Sequence, residues 1–347
     1  MAGQPRPRRS DGSPTIYDVA RVAGVAPSTV SRAFSRPGRV NGETAERIRT
    51  IATELGYRTN PLARALPTGR TSMIALAISD ITNPYYFEII RGAQATAAAA
   101  GYTMLLADAQ ESQQLEREAL ERAVPSVDGI VLASTRMSDS AIRMTAKQRT
   151  LVVLNRAVAD VPSVVVDHAQ GMRYAFEHLR GLGHEQITYL SGPEAAWADG
   201  MRWRALRELS TEANLGLRRL GPYPPTVVGG VAGAEDLRQQ PTSAVIAYND
   251  LMAIGLLRGL AAIGVRVPDD VSIVSCDNIF GAELVTPGLT TVAGPLRTLG
   301  STAVQNLLAL VGGAEPTTGE PVLLPTRLVV RESSGRHSAT GWGARGN

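Results

Sequence analysis

Thr15-Ile-Tyr-Asp-Val-Ala-Arg-Val-Ala-Gly-Val-Ala-Pro-Ser-Thr-Val-Ser-Arg32 is the stretch that decides the reading of this chain. Thr15 followed three residues later by Asp18 is a capping signature ahead of the apolar series Ile16, Val19, Ala20 and Ala23, which recurs at helical spacing. Gly24 ends that helix, and Pro27 suits the first position of a second one, Pro27 to Phe34. Helix, glycine-containing turn, helix is the pattern of a helix-turn-helix, whose second helix can lie in a major groove. Ser28 and Thr29 can then bond base edges or phosphates, Val30 faces a core, and Ser31 and Arg32 serve as phosphate partners. Asn41 caps a third helix with Ile48, Ile51, Ala52 and Leu55 in register, and Gly56 stops it.

Charge agrees with that pattern. Residues 1–70 hold 12 Arg against 5 Asp and Glu, so this part carries +7 while the remainder carries −4. A basic module joined to a near-neutral body points to a polyanionic partner. Residues 1–14, with Arg6, Arg8 and Arg9 among Pro, Gly and Ser, read as a disordered basic arm and not as a secretory signal. The single cysteine, Cys276, excludes an internal disulfide and fits a reducing cytoplasm. No apolar run reaches the roughly 18 residues of a membrane span.

From Thr71 onward, runs of Val, Ile and Leu alternate with helical stretches. Strands are expected at Met73–Ile78, Thr103–Ala107, Gly129–Ala133, Leu151–Leu154, Ser163–Val166, Ile187–Leu190, Ala244–Ala247, Ser272–Ser275 and Leu289–Val292. Helices are expected at Pro84–Ala100, Leu115–Ala123, Gly171–Leu182, Arg202–Glu212, Asp250–Ile263 and Leu296–Val311. Alternation of this kind makes parallel sheets covered on both faces, and so many strands suit two doubly wound lobes. Ligands of such sheets sit beyond the carboxyl ends of strands. Polar and aromatic residues stand there: Tyr85 and Tyr86, Asn155, Trp197 with Arg202, Asn249 and Asp277.

The wording of the head is more specific than its pattern. Thr15-Ile-Tyr-Asp-Val-Ala20, Thr29-Val-Ser-Arg32, Glu54-Leu-Gly-Tyr57 and Asn60-Pro61 resemble the head of the lac repressor (LacI/GalR) family. The similarity runs on to Val329-Val-Arg-Glu-Ser333. The resemblance implies a small all-α helix-turn-helix head on an α/β two-lobed body like the periplasmic binding proteins, with two doubly wound parallel sheets. It also implies a sequence-specific transcriptional regulator, a repressor, that binds a palindromic double-stranded operator as a homodimer and is switched by a small-molecule effector, a sugar. Base reading then falls on Pro27 and Ser28, and phosphate contact on Thr15, Tyr17, Ser31, Arg32 and Asn60. The hinge helix falls on Asn60 to Leu66, with Leu66 as a minor-groove wedge. Effector contact falls on Tyr85, Tyr86, Arg202, Asn249 and Asp277. Three departures stand out. Ala26 replaces the usual serine cap, Pro67 forbids continuation of the hinge helix, and the segment Gly221 to Gly233 is shortened and rewritten.

The expected organisation is an arm at 1–14, a helix-turn-helix domain at 15–58, a hinge and linker at 59–70 and the body at 71–335. Lobe 1 takes about 71–167 and 296–322, lobe 2 about 168–293 and 323–335. A loose tail occupies 336–347, and the chain is already polar and Gly-rich from Glu332. Enzyme chemistry is not found. No Gly-Lys-Ser/Thr loop or Gly-x-Ser-x-Gly elbow exists, and His168, His178, His184 and His337 lack metal-ligand spacing, so neither cofactor nor metal is expected. Two alternatives stay open: a free-standing solute-binding protein, and a regulator answering to a nucleoside or purine.

Overall fold

The computed structural model describes residues 14–35, 38–57, 70–316, 319–338 and 342. The basic arm up to residue 13, and the hinge with Asn60, Leu66 and Pro67, lie outside them. The chain divides after Thr71 into two units.

The first unit is a three-helix head: α1 (Ile16–Ala23), α2 (Pro27–Ser35) and α3 (Gly42–Glu54). Asp18 accepts hydrogen bonds from the Thr15 backbone N–H at 3.0 Å and the Thr15 hydroxyl at 2.7 Å, which closes the start of α1. Gly24 ends it with φ +65°, and its N–H returns to the Ala20 carbonyl. Asn41 caps α3 by accepting from the Glu43 N–H at 3.0 Å. Val19, Val30 and Ile48, all fully buried, centre the small core. The single apolar residue in the middle of α2 thus points inward, as its spacing requires.

The second unit carries two sheets of six strands each. The first runs β11 (Val322–Leu324), β5 (Ser163–Val166), β4 (Thr150–Leu154), β3 (Gly129–Ala133), β1 (Met73–Ile78) and β2 (Thr103–Asp108), all parallel. The second runs β12 (Arg327–Val329), β10 (Thr290–Ala293), β9 (Ser272–Cys276), β8 (Ala244–Ala247), β6 (Gln186–Leu190) and β7 (Gly216–Leu220). Central strands such as β3 and β8 are buried throughout, which explains their unbroken apolar sequences. Helices α4 (Tyr85–Ala99), α5 (Gln113–Ala123), α6 (Asp139–Gln148) and α11 (Leu296–Val311) cover the first sheet. Helices α7 (His168–Gly181), α8 (Trp197–Ala213), α9 (Val227–Gln239) and α10 (Asp250–Ala262) cover the second.

The structure departs from the sequence reading in definite places. β12 pairs with β10 antiparallel, so the second sheet is mostly rather than wholly parallel. β11 belongs to the first sheet, so the final crossing between lobes follows Leu324 and not residue 322. β7, β11, β12, α6 and α9 carry no expected element. The first of these is a half-exposed edge strand holding Arg218 and Arg219, and the next two span three residues each. α9 begins inside the rewritten segment, capped by Thr226, and holds Gly229, Gly230 and Gly233. Those glycines mark close packing: a Cβ on Gly230 would meet the Met252 carbonyl oxygen of α10 at 1.9 Å.

The loose tail is corrected as far as residue 338. Ser333 is fully buried, its hydroxyl donates to the Ile273 carbonyl at 2.6 Å and accepts from the Thr290 N–H at 2.8 Å. Gly335 N–H bonds Ser272 at 3.0 Å, and His337 N–H bonds the Leu182 carbonyl at 2.8 Å. Trp342 packs on the apolar core of the second lobe. These local bonds hold a polar segment that has no periodicity to betray it.

Candidate functional site

Two surfaces gather the residues singled out above. On the head, Ser28, Ser31 and Arg32 are exposed along α2, Pro27 and Thr29 are half-buried, and Tyr17 of α1 is 70% exposed. Thr15 is occupied in capping α1, so its hydroxyl already has one partner in Asp18.

The second surface is the cleft between the lobes. Arg202 sits one turn inside α8 and is only 5% exposed. Its Nη1 donates to the Tyr248 carbonyl, its Nη2 donates to Asp277 Oδ1 at 3.5 Å, and its guanidinium lies 5.0 Å above the Tyr248 ring. Asp277 follows the end of β9 with φ +107°, a conformation that an L-residue holds only when its surroundings impose it. Its N–H is tied to the Val292 carbonyl at 2.8 Å. Burial pushes the Asp277 carboxyl up to about 8; Arg202 opposes the rise and the Asp250 carboxylate adds to it. Asp250, behind it, accepts from Ser275, from Thr291 at 2.7 Å and from the Ile279 N–H at 2.8 Å. Burial still lifts the Asp250 carboxyl to about 6.

From the first lobe come Tyr85 and Tyr86, both buried, with rings edge-on at 5.0 Å. The Tyr85 hydroxyl is buried and has no hydrogen-bond partner among the described residues. Asn155 follows β4 with φ +56° and accepts from His168 Nε2 at 2.9 Å. Burial, with Arg202 nearby, holds the His168 imidazole well below its usual range, so it is neutral. Asn249 caps α10 by accepting from the Met252 N–H at 2.9 Å and donates to the Pro225 carbonyl at 3.0 Å.

Two small cavities, each with only about 20 Å³ of open space, share Tyr85, Arg202 and Asp277 in their walls. Tyr86, Asn155 and Asn249 line one of them. Trp197 lines neither; it reaches the site through His168, whose ring it meets edge-on at 5.8 Å. Sequence reading missed Arg136, Glu111 and Ser134 in one wall and His168 in the other. Ser134-Thr135-Arg136 follows the carboxyl end of β3, so the rule applied to the other strands would have found it. The arrangement joins a guanidinium, a carboxylate, amides and aromatic faces, a set able to hold a compact hydroxyl-bearing molecule.

Comparison with known proteins bears on both surfaces. Residues 15–60 match the bacterial regulatory proteins of the lacI family, and residues 176–334 match the periplasmic binding protein-like domain. The HTH-type transcriptional regulator DegA of Bacillus subtilis (strain 168) is 31% identical over 332 residues, which cover 92% of this chain and 98% of that protein. The lac repressor dimer bound to operator and the anti-inducer ONPF superposes with a TM-score of 0.83 at 25% identity, covering 93% of this chain and all of that one. The CelR–cellobiose complex does so with a TM-score of 0.69 at 28% identity, covering 92% and 100%. These relatives are regulators and not enzymes, which sets aside the free-standing solute-binding reading. The chain is a DNA-binding transcriptional regulator with an effector-binding body, and it belongs to the lacI family of bacterial regulatory proteins.

Proposed function

We propose that this protein is a cytoplasmic repressor that binds a palindromic operator as a homodimer and is released or retained by a small sugar held in its interlobe cleft. The observation that carries the sensor half is Arg202, buried between Tyr248 and Asp277 and sharing both cavities with Tyr85 of the opposite lobe. A ligand touching both lobes favours one of their relative orientations, and it shifts operator affinity only by its differential affinity for the two. Effector contact is assigned to Tyr85, Tyr86, Asn155, Arg202, Asn249 and Asp277, with Trp197 acting through His168. Support for a sugar comes from the CelR relative, whose solved complex holds cellobiose.

DNA contact is assigned to Thr15, Tyr17, Pro27, Ser28, Thr29, Ser31 and Arg32. Asn60 and the wedge Leu66 lie outside the described residues and stay part of the proposal. Selection of bound duplexes from a randomised pool tests the operator half. Enriched inverted repeats support it, and equal affinity for every duplex at moderate salt refutes it. Leu66→Ala should weaken operator affinity and leave the operator less bent, as read by gel mobility of phased fragments.

A further inference from the structure

The cleft holds a second guanidinium that the effector assignment above does not use. Arg136 stands at the exit of β3 in the first lobe; its side chain is 7% exposed and shares a cavity wall with Tyr86, Arg202, Tyr248 and Asp277. It is tightly braced. Its Nε donates to Glu111 Oε2 at 2.7 Å, its Nη1 donates to the Ser134 carbonyl at 3.0 Å, and its backbone N–H donates to Glu116 Oε2 at 3.1 Å. No hydrogen bond leaves its Nη2 among the described residues. Glu111 itself is fixed by an unusual backbone, with φ +58° and its N–H on the Ser79 carbonyl at 2.6 Å.

We infer that Arg136, positioned by Glu111, is a specificity-determining residue that donates to the effector from the first lobe, and that the cavity selects an uncharged polyol over its carboxylated counterpart. The inference rests on the reading of the cleft as the effector site. Each lobe presents one guanidinium with a carboxyl group already set against it: Arg136 with Glu111 at 2.7 Å and Arg202 with Asp277 at 3.5 Å. A hydroxyl both donates and accepts, so it can bridge such pairs without disturbing either. An anionic group would compete with Glu111 for Arg136 and, beside Arg202, would work against ionisation of Asp277 in a poorly hydrated space. The Tyr85 hydroxyl adds a buried polar group without a partner, and a ligand hydroxyl is what would satisfy it. Arg136 and Tyr85 therefore hold the ligand from the lobe opposite Arg202, and closure of the cleft depends on both sides of this grip.

The test uses the full chain, calorimetric titration and four probes: D-ribose, cellobiose, and their aldonic acids D-ribonate and cellobionate. At least one neutral sugar binds the wild type, and its acid binds more weakly. Arg136→Lys, which keeps charge but loses the planar fork, weakens the neutral sugar by about 10- to 150-fold, the range for losing a hydrogen bond to a charged group. Glu111→Gln leaves the Arg136 guanidinium unmatched, so it tightens binding of the acid while loosening the sugar. A purely structural role for the pair cannot produce that reversal. If Arg136→Lys does not fold by circular dichroism, Arg136→Gln is used in its place, and Glu111→Gln alone still decides the question. Wild-type affinity in Arg136→Lys with loss in Arg202→Ala overturns this inference and leaves the cleft reading standing. Wild-type affinity in both variants overturns the cleft reading itself. Tighter binding of an acid than of its sugar, or no binding of either neutral sugar, overturns the ligand class.

Discussion

At the scale of single residues, Asp277 carries the sharpest prediction. Its carboxyl is raised from the ordinary 3.8 to about 8 in the folded, unliganded body, and Asp250 is raised to about 6. The folded protein therefore binds protons that the unfolded chain has released. These two groups favour folding most below pH 3.8, and that contribution is lost as pH rises through about 6 and then about 8. Thermal unfolding of the unliganded protein between pH 5 and 9 should show it, with Asp277→Asn giving a flatter profile. Effector hydroxyls that donate to the ionised carboxylate reverse the sense for binding, so affinity should rise with pH through the same upper window. Arg202→Ala should respond to effector only at about 10- to 150-fold higher concentration, while binding operator normally without ligand. Operator titration at several effector concentrations checks this, and a wild-type response would remove Arg202 from the site. Arg202, Asp277 and the tyrosines were legible because they stand at strand ends, where open sheets hold ligands. His168 was not, because a histidine at a helix start has no spacing that separates a cleft residue from a core one.

Among elements, the glycine-bearing helix α9 is the most instructive. A glycine inside a helix costs roughly 0.5–1 kcal/mol relative to alanine. Here the cost is offset by the approach of α10, since Gly255 in turn meets the Val227 carbonyl at 2.0 Å from where its Cβ would stand. Gly230→Ala should therefore destabilise the body by about 1–3 kcal/mol, despite its better helix propensity. Denaturant unfolding is the measure, and a neutral or stabilising result would show that the helices can part freely. Local propensity points the wrong way at these positions, so sequence reading assigned α9 no element. The same logic hid the three-residue edge strands β11 and β12, which are too short for any periodicity. In contrast β1, β3, β4 and β8 were legible at once, because burial on both faces demands a continuous apolar run.

For the molecule as a whole, charge separation governs the encounter with DNA. The +7 of residues 1–70 implies counterion release, so operator affinity should fall steeply and log-linearly as salt rises. A flat salt dependence would mean that the basic residues do not meet phosphates. Light scattering should report a dimer, the assembly in which two heads can read the two halves of a palindrome. The two-lobed plan was legible in the alternation of strands and helices, and the head in its wording. The exact crossings were not, because they depend on which sheet captures a three-residue strand. The chain passes between the lobes after Val166, after Ala293 and after Leu324, so both sheets take their last strands from residues 322–329. During synthesis, the three-helix head can be complete on the ribosome while neither sheet of the sensor has closed. A message cut short before codon 322 would then release a DNA-reading head fused to a body that cannot finish folding, and such a product should be cleared by proteolysis rather than act as an unregulated repressor.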